Sequence, residues 1–164
     1  MPTDNDKELL AMLVASHREL VESIDGTISA ADDIVELVTA GLRGNVPSQM
    51  TAIEITRRCP VEVRKKLLTA LLQCSRSINA PVVNVIATLP QKWLVEHIEE
   101  AVHPLLDGAD HIDYDFFLQL FDRIDLALAN RLAAQCALSN CDPDVREMGT
   151  EYLAKRDERL GQRR

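Results

Sequence analysis

A chain of 164 residues, 46% hydrophobic but only 4% aromatic, holds enough aliphatic material for one substantial core packed between helices. Its formal net charge of −8 opposes general attraction to nucleic acid, and no apolar run reaches the roughly 20 residues of a membrane-spanning helix. The opening MPTDNDKELL lacks the basic-then-apolar order of a secretion signal, so a cytoplasmic location is expected.

From Asp4 to Ile24, the residues Leu9, Leu10, Leu13, Val14, Leu20, Val21 and Ile24 recur at three- and four-residue steps. This is the stripe of an amphipathic helix, which Asp25-Gly26 should end. Ser29 is placed to cap a second helix, with Asp32 and Asp33 where the positive end of the helix dipole favours anions. Its buried face should carry Ile34, Leu37, Val38 and Leu42, and Gly44 and Pro47 should stop it. Pro47 and Ser48 then open a short helix to Arg58. Pro60, whose missing N–H costs nothing in a first turn, opens another to about Arg76. There Val63, Leu67, Leu68, Leu71 and Leu72 keep a helical period while Arg64, Lys65 and Lys66 fall mostly on the other side.

Val82-Val83-Asn84-Val85-Ile86 has the β-branched content of a buried strand, but no partner strand exists and Pro81 and Pro90 bracket it, so a short helix is expected. Pro90 opens a helix with Trp93, Leu94, Ile98 and Val102 on one face, broken at His103-Pro104 and Asp107-Gly108. Three helices follow, over about 113–123, 125–138 and 143–159, with Asp142 as N-cap and Pro143 in the first turn of the last. Gly149 inside that helix costs about 1 kcal/mol relative to Ala, which a close helix crossing would explain. One domain over 1–160 with a charged tail at 161–164 is expected.

Two junctions share a pattern: Cys59-Pro-Val-Glu-Val-Arg-Lys-Lys and Cys141-Asp-Pro-Asp-Val-Arg-Glu-Met. Their Val-Arg pairs, Val63-Arg64 and Val145-Arg146, lie 82 residues apart, two steps of 41. The second resembles the Asp-Pro turn and Val-Arg helix opening of a HEAT repeat. The resemblance covers two stretches of about fifteen residues, and no intermediate copy is recognisable near Val102 to Leu105. It implies an all-α fold of antiparallel helix pairs stacked as a short α-solenoid, whose surface serves as a platform for another macromolecule. The alternative is a compact helical bundle.

Charge is banded. Residues 1–56 carry ten acids against three bases, residues 57–76 six bases against Glu62 alone, and residues 91–130 nine acids against two bases. The ordinary meaning of such bands is a solvated helix face; as contact surfaces they would orient a partner and speed its capture. The candidate partner-binding residues are therefore Arg57, Arg58, Arg64, Lys65 and Lys66 in one patch, and Glu96, Glu99, Glu100, Asp110, Asp113 and Asp115 in another.

Signals for chemistry are thin. His97, His103 and His111 share a region with carboxylates able to hold a divalent ion, but His97 and His103 are six apart and no H-E-x-x-H pattern occurs. Cys136 and Cys141 have a zinc-compatible spacing without a second ligand pair, and with Cys59 and Cys74 they read as reduced thiols. No nucleophile elbow and no phosphate loop is present. Phe117, Leu120, Phe121 and Ile124 form a core stripe, leaving Tyr114 and Phe116 as freer surface candidates. The expectation is a non-enzymatic protein-binding module without a cofactor, whose partner is another protein or a second copy in a homodimer. A nucleic-acid module using the 57–76 band and a metal enzyme using the 96–115 region are the rivals.

Overall fold

The structure, a computed structural model, describes residues 4–76, 78–139 and 142–161, and every regular element among them is helical. None of the helices is long and apolar enough to cross a membrane. The chain divides into two compact units, Met1–Leu67 and Leu68–Arg164.

The first unit holds α1 (Asp4–Ala30), α2 (Ile34–Leu42), α3 (Val46–Arg58) and α4 (Val61–Lys66). α1 does not stop at Asp25-Gly26. It runs through the glycine, past which the Thr27 and Ser29 hydroxyls donate to the carbonyls of Ser23 and Asp25 one turn back, and nothing crowds the Gly26 position. The cap of α2 is Asp33 rather than Ser29: its carboxylate accepts from the amides of Val35 and Glu36, both at 2.9 Å. Asn45, one turn before Ser48, likewise caps α3. Val38 and Leu42 are buried on α2 as expected, but Leu37 is 46% exposed. Gly41 lets α2 lie against α3, since a Cβ there would stand 2.9 Å from that of Ala52. The core of the unit includes Val38, Leu42, Ala52 and Ile53.

The helix expected from Pro60 to Arg76 is two. Leu67 (φ −88°, ψ −3°) closes α4, and α5 (Leu68–Cys74) starts the second unit. It is followed by α6 (Asn79–Ile86), α7 (Gln91–Val102), a 3₁₀ turn (His103–Leu105), α8 (His111–Ile124), α9 (Leu126–Ser139) and α10 (Pro143–Gly161). The β-branched run is helix α6, as its bracketing prolines predict, and buries Val82, Val83, Val85 and Ile86. Gly108 supplies the left-handed turn (φ +73°) after the 3₁₀ turn. The single residue Asp125 links α8 to α9 and accepts from the Ala127 amide at 2.7 Å. Asp142 accepts from the Asp144 amide at 2.9 Å and so caps α10.

Tyr114 and Phe116 are not surface residues: both are buried with Phe117, Leu120 and Phe121 along α8. α9 turns a small-residue face, Ala129, Ala133 and Cys136, into the core. Gly149 of α10 sits on that face so closely that a Cβ would meet the Ala133 carbonyl oxygen at 2.6 Å. The close crossing expected from a mid-helix glycine is present.

Candidate partner-binding surface

α1 leaves most of its apolar residues in solvent. Only Ile24 of its stripe is buried, whereas Leu9, Leu10, Met12, Leu13, Val14 and Leu20 are between 50% and 68% exposed. Residues 6–20 are exposed without exception, so this stretch is an amphipathic helix whose apolar side none of the other described residues buries. Beside its C-terminal turn, Thr27, Leu37, Val38, Gly41, Pro47 and Ile55 line an open, mainly apolar groove of about 420 Å³ in the same unit.

Most of the charges singled out in the sequence have partners within the chain. Arg57 pairs with Glu54 at 3.1 Å, Arg58 reaches Asp25 of α1 at 3.3 Å, and Lys65 pairs with Glu62 at 2.9 Å. Arg64 is half-buried, close enough to Cys59 for its charge to oppose the burial that raises that thiol's pKa. Lys66 is exposed at the end of α4. These five lie on α3 and α4 of the first unit.

The acidic candidates belong to the second unit and divide by role. Asp110 and Asp113 form a capping box at the start of α8: Asp110 accepts from the amides of Ile112 and Asp113, and Asp113 accepts from that of Asp110. These backbone donors hold the Asp110 carboxyl below its ordinary pKa. Asp113 also takes a two-point contact from the Arg76 guanidinium, one arm at 2.8 Å. Glu99 receives both arms of Arg131 at 2.8 and 2.9 Å. Asp115 accepts from Gln119 at 2.7 Å, and Glu96 and Glu100 are exposed on α7.

The histidines do not converge. His97 stacks on Trp93, with ring centroids 4.5 Å apart, and its Nδ1 lies 2.8 Å from the Trp93 carbonyl oxygen one turn back. His103 borders a cavity of about 240 Å³ with Glu99, Arg131, Phe121 and Leu132. Among the described residues no three His, Cys, Asp or Glu side chains are grouped to hold a metal. Cys59, Cys74 and Cys136 are buried thiols, and Cys141 of the zinc-compatible pair lies outside the described residues. Burial pushes Cys136 up to about 11, far from a reactive thiolate.

The surface that stands out, the apolar face of α1, is the one that sequence reasoning passed over. Its periodicity was legible, but a stripe that packs inside the molecule and one that faces solvent look alike in sequence. The signal available was length: α1 has 27 residues and α3, the helix it packs on, has 13, too few to cover it. No protein-family model, curated protein or solved structure matches the chain.

Proposed function

We propose that the chain is a non-enzymatic protein–protein interaction module whose principal contact element is the exposed half of α1. The supporting observation is the row of six large apolar side chains, each at least half exposed, on a helix anchored to its unit at Ile24. An amphipathic helix presented this way suits docking of its apolar face against a partner helix or groove. The charged bands at 57–66 and 96–115 act as the polar setting. With Arg57, Arg58, Lys65, Glu99 and Asp113 paired inside the chain, they orient a partner and contribute little net affinity. The same pairing weakens the case for phosphate binding by the basic band.

The HEAT-like reading belongs to this proposal. It is supported by helices adjacent in sequence packing on one another within each unit: α2 on α3, α5 on α6, α8 on α9, and α9 on α10. Both Val-Arg junctions open helices, α4 at Val61 and α10 at Pro143, although these differ in length, 6 against 19 residues. Location in the cytoplasm and the absence of enzymatic activity remain parts of the same reading.

The test is a photo-crosslinking side chain introduced in place of Leu13 in the native cell, compared with the same group in place of exposed Glu62 on α4. Crosslinks to protein at the first site and not the second are expected. Absence of any crosslink at Leu13 overturns the assignment of α1 as the contact element.

A further inference from the structure

The second unit holds a small cavity that plays no part in the contact surface on α1. Val83 of α6, Leu89 in the turn after it, Leu94 of α7, and Leu120 and Ile124 of α8 wall it, and all five are buried. Its volume is about 150 Å³, a size at which an aliphatic cavity holds a benzene-sized molecule. At its edge stands Arg123, exposed and without an ion pair or side-chain hydrogen bond among the described residues. We propose that this cavity binds a small monocarboxylate: an apolar body of about five or six carbons fills it, and the carboxylate meets the Arg123 guanidinium at the mouth.

Charge selects this cavity and this ligand. Two larger cavities in the same unit, about 240 Å³ each, present a cation that a carboxylate already neutralises: Glu99 takes both arms of Arg131, and Asp113 takes two from Arg76. Around the smaller cavity no carboxylate is among the described lining residues. The acids next to Arg123 in sequence are engaged elsewhere, Asp122 by the Tyr152 hydroxyl and Asp125 by the Ala127 amide, each at 2.7 Å. α7 begins at Gln91, on the cavity wall, with no side-chain cap, so the positive end of its dipole adds to the same sign. The ligand carries no second polar group. The Gln91 side-chain amide is spent on the Ile124 carbonyl at 3.0 Å, and no lining acid can hold an ammonium. Amino acids, peptides and sugars would therefore lose hydrogen bonds to water that the site does not replace.

Calorimetric titration of the full chain with hexanoate should give a dissociation constant on the order of 0.1–1 mM. Each methylene removed should weaken binding about three- to fourfold, until acetate shows none. Hexylammonium, with the same chain and the opposite charge, should bind about tenfold more weakly, since attraction to Arg123 becomes repulsion. In methyl carbon–proton spectra, hexanoate should shift Val83, Leu89, Leu94, Leu120 and Ile124 and leave Val102 and Leu132 of the His103 cavity unmoved. Arg123 and Ala87 are both exposed on the cavity's edge, so their replacement leaves the core intact. Arg123→Glu should reverse the order of hexanoate and hexylammonium, and Ala87→Leu, which fills the mouth, should abolish binding of both. No binding at ~10 mM hexanoate, methyl shifts spread over both cavities, or binding indifferent to Ala87→Leu overturns the site. A preference for hexanoate that survives Arg123→Glu, or no preference in the wild type, overturns Arg123 as the carboxylate's partner.

Discussion

The same substitution should have opposite signs at two helical glycines. In an exposed helix interior, Gly→Ala stabilises by about 1 kcal/mol, because alanine loses less backbone freedom on folding. At Gly26 in α1 no atom lies within 4 Å of the new Cβ, so Gly26→Ala should realise most of that gain. At Gly149 the Cβ would stand 2.6 Å from the Ala133 carbonyl oxygen, 2.8 Å from the Ala137 nitrogen and 2.8 Å from the Cys136 Cβ. Two of these are backbone atoms of α9, so relief requires the two helices to separate, opening the small-residue face around Ala133. Overpacking of this kind costs about 1–3 kcal/mol and here meets rigid neighbours, so the upper part of that range is expected. After the propensity gain is set against it, Gly149→Ala should lose about 1–2 kcal/mol and Gly149→Val more. Urea denaturation followed by circular dichroism reads both variants. A Gly149→Ala protein more stable than wild type would refute the close crossing of α9 and α10, and a destabilised Gly26→Ala would refute a continuous α1.

The buried thiols should resist alkylation. With Cys136 pushed up to about 11, only about one thiol in a thousand is thiolate at roughly pH 8 even before burial slows access, so peptides carrying Cys59, Cys74 and Cys136 should stay unlabelled in native protein and label fully in denaturant. Asp110 has a depressed carboxyl pKa in the folded chain, so its stabilising contribution is present above the unfolded value of about 4 and is lost as pH falls through the lower folded value. Asp110→Asn should therefore flatten the acid limb of the stability profile while leaving neutral-pH stability nearly unchanged; an identical acid limb would count against the capping box. Truncating a fully buried side chain, Leu71→Ala or Ile98→Ala, should cost about 2–5 kcal/mol by chemical denaturation.

The helices were legible because their punctuation is local. Pro90 and Pro143 open helices and Gly108 turns the chain, all by backbone rules that need no neighbours. Even the valine-rich run of α6 yielded to the absence of a strand to pair with. The misplacements occurred where two local rules compete. Asp25-Gly26 reads as a stop, yet glycine also tolerates a helix interior at a cost of about 1 kcal/mol, and α1 continues to Ala30. Ser29 and Asp33 both offer caps, and the carboxylate takes two amides. Charge was least legible: Arg58 and Asp25 are 33 residues apart and Arg76 and Asp113 are 37 apart, so composition shows an unbalanced band where tertiary structure makes pairs. For the same reason Asp110 and Asp113, read as contact residues, are also the cap that starts α8.

The exposed half of α1 also links stability to association. A helix of about 15 residues with no tertiary support is marginal in water, so residues 9–20 of an unassociated chain should open with little free-energy cost. Their amides should then exchange with solvent within about tenfold of unprotected rates, while those around Leu71 and Ile98 exchange orders of magnitude more slowly. Association through this segment stabilises it by mass action: at a partner concentration 100 times the dissociation constant, the gain is about 2.7 kcal/mol, or roughly 100-fold slower exchange. The slowing should end near Ile24, where the helix is already held by its own unit. Hydrogen exchange by mass spectrometry on the free chain and on the chain with its captured partner measures it directly. Strong protection of residues 9–20 in a dilute, monomeric sample would mean that α1 is stabilised within its own chain, and the case for an open contact helix would fall.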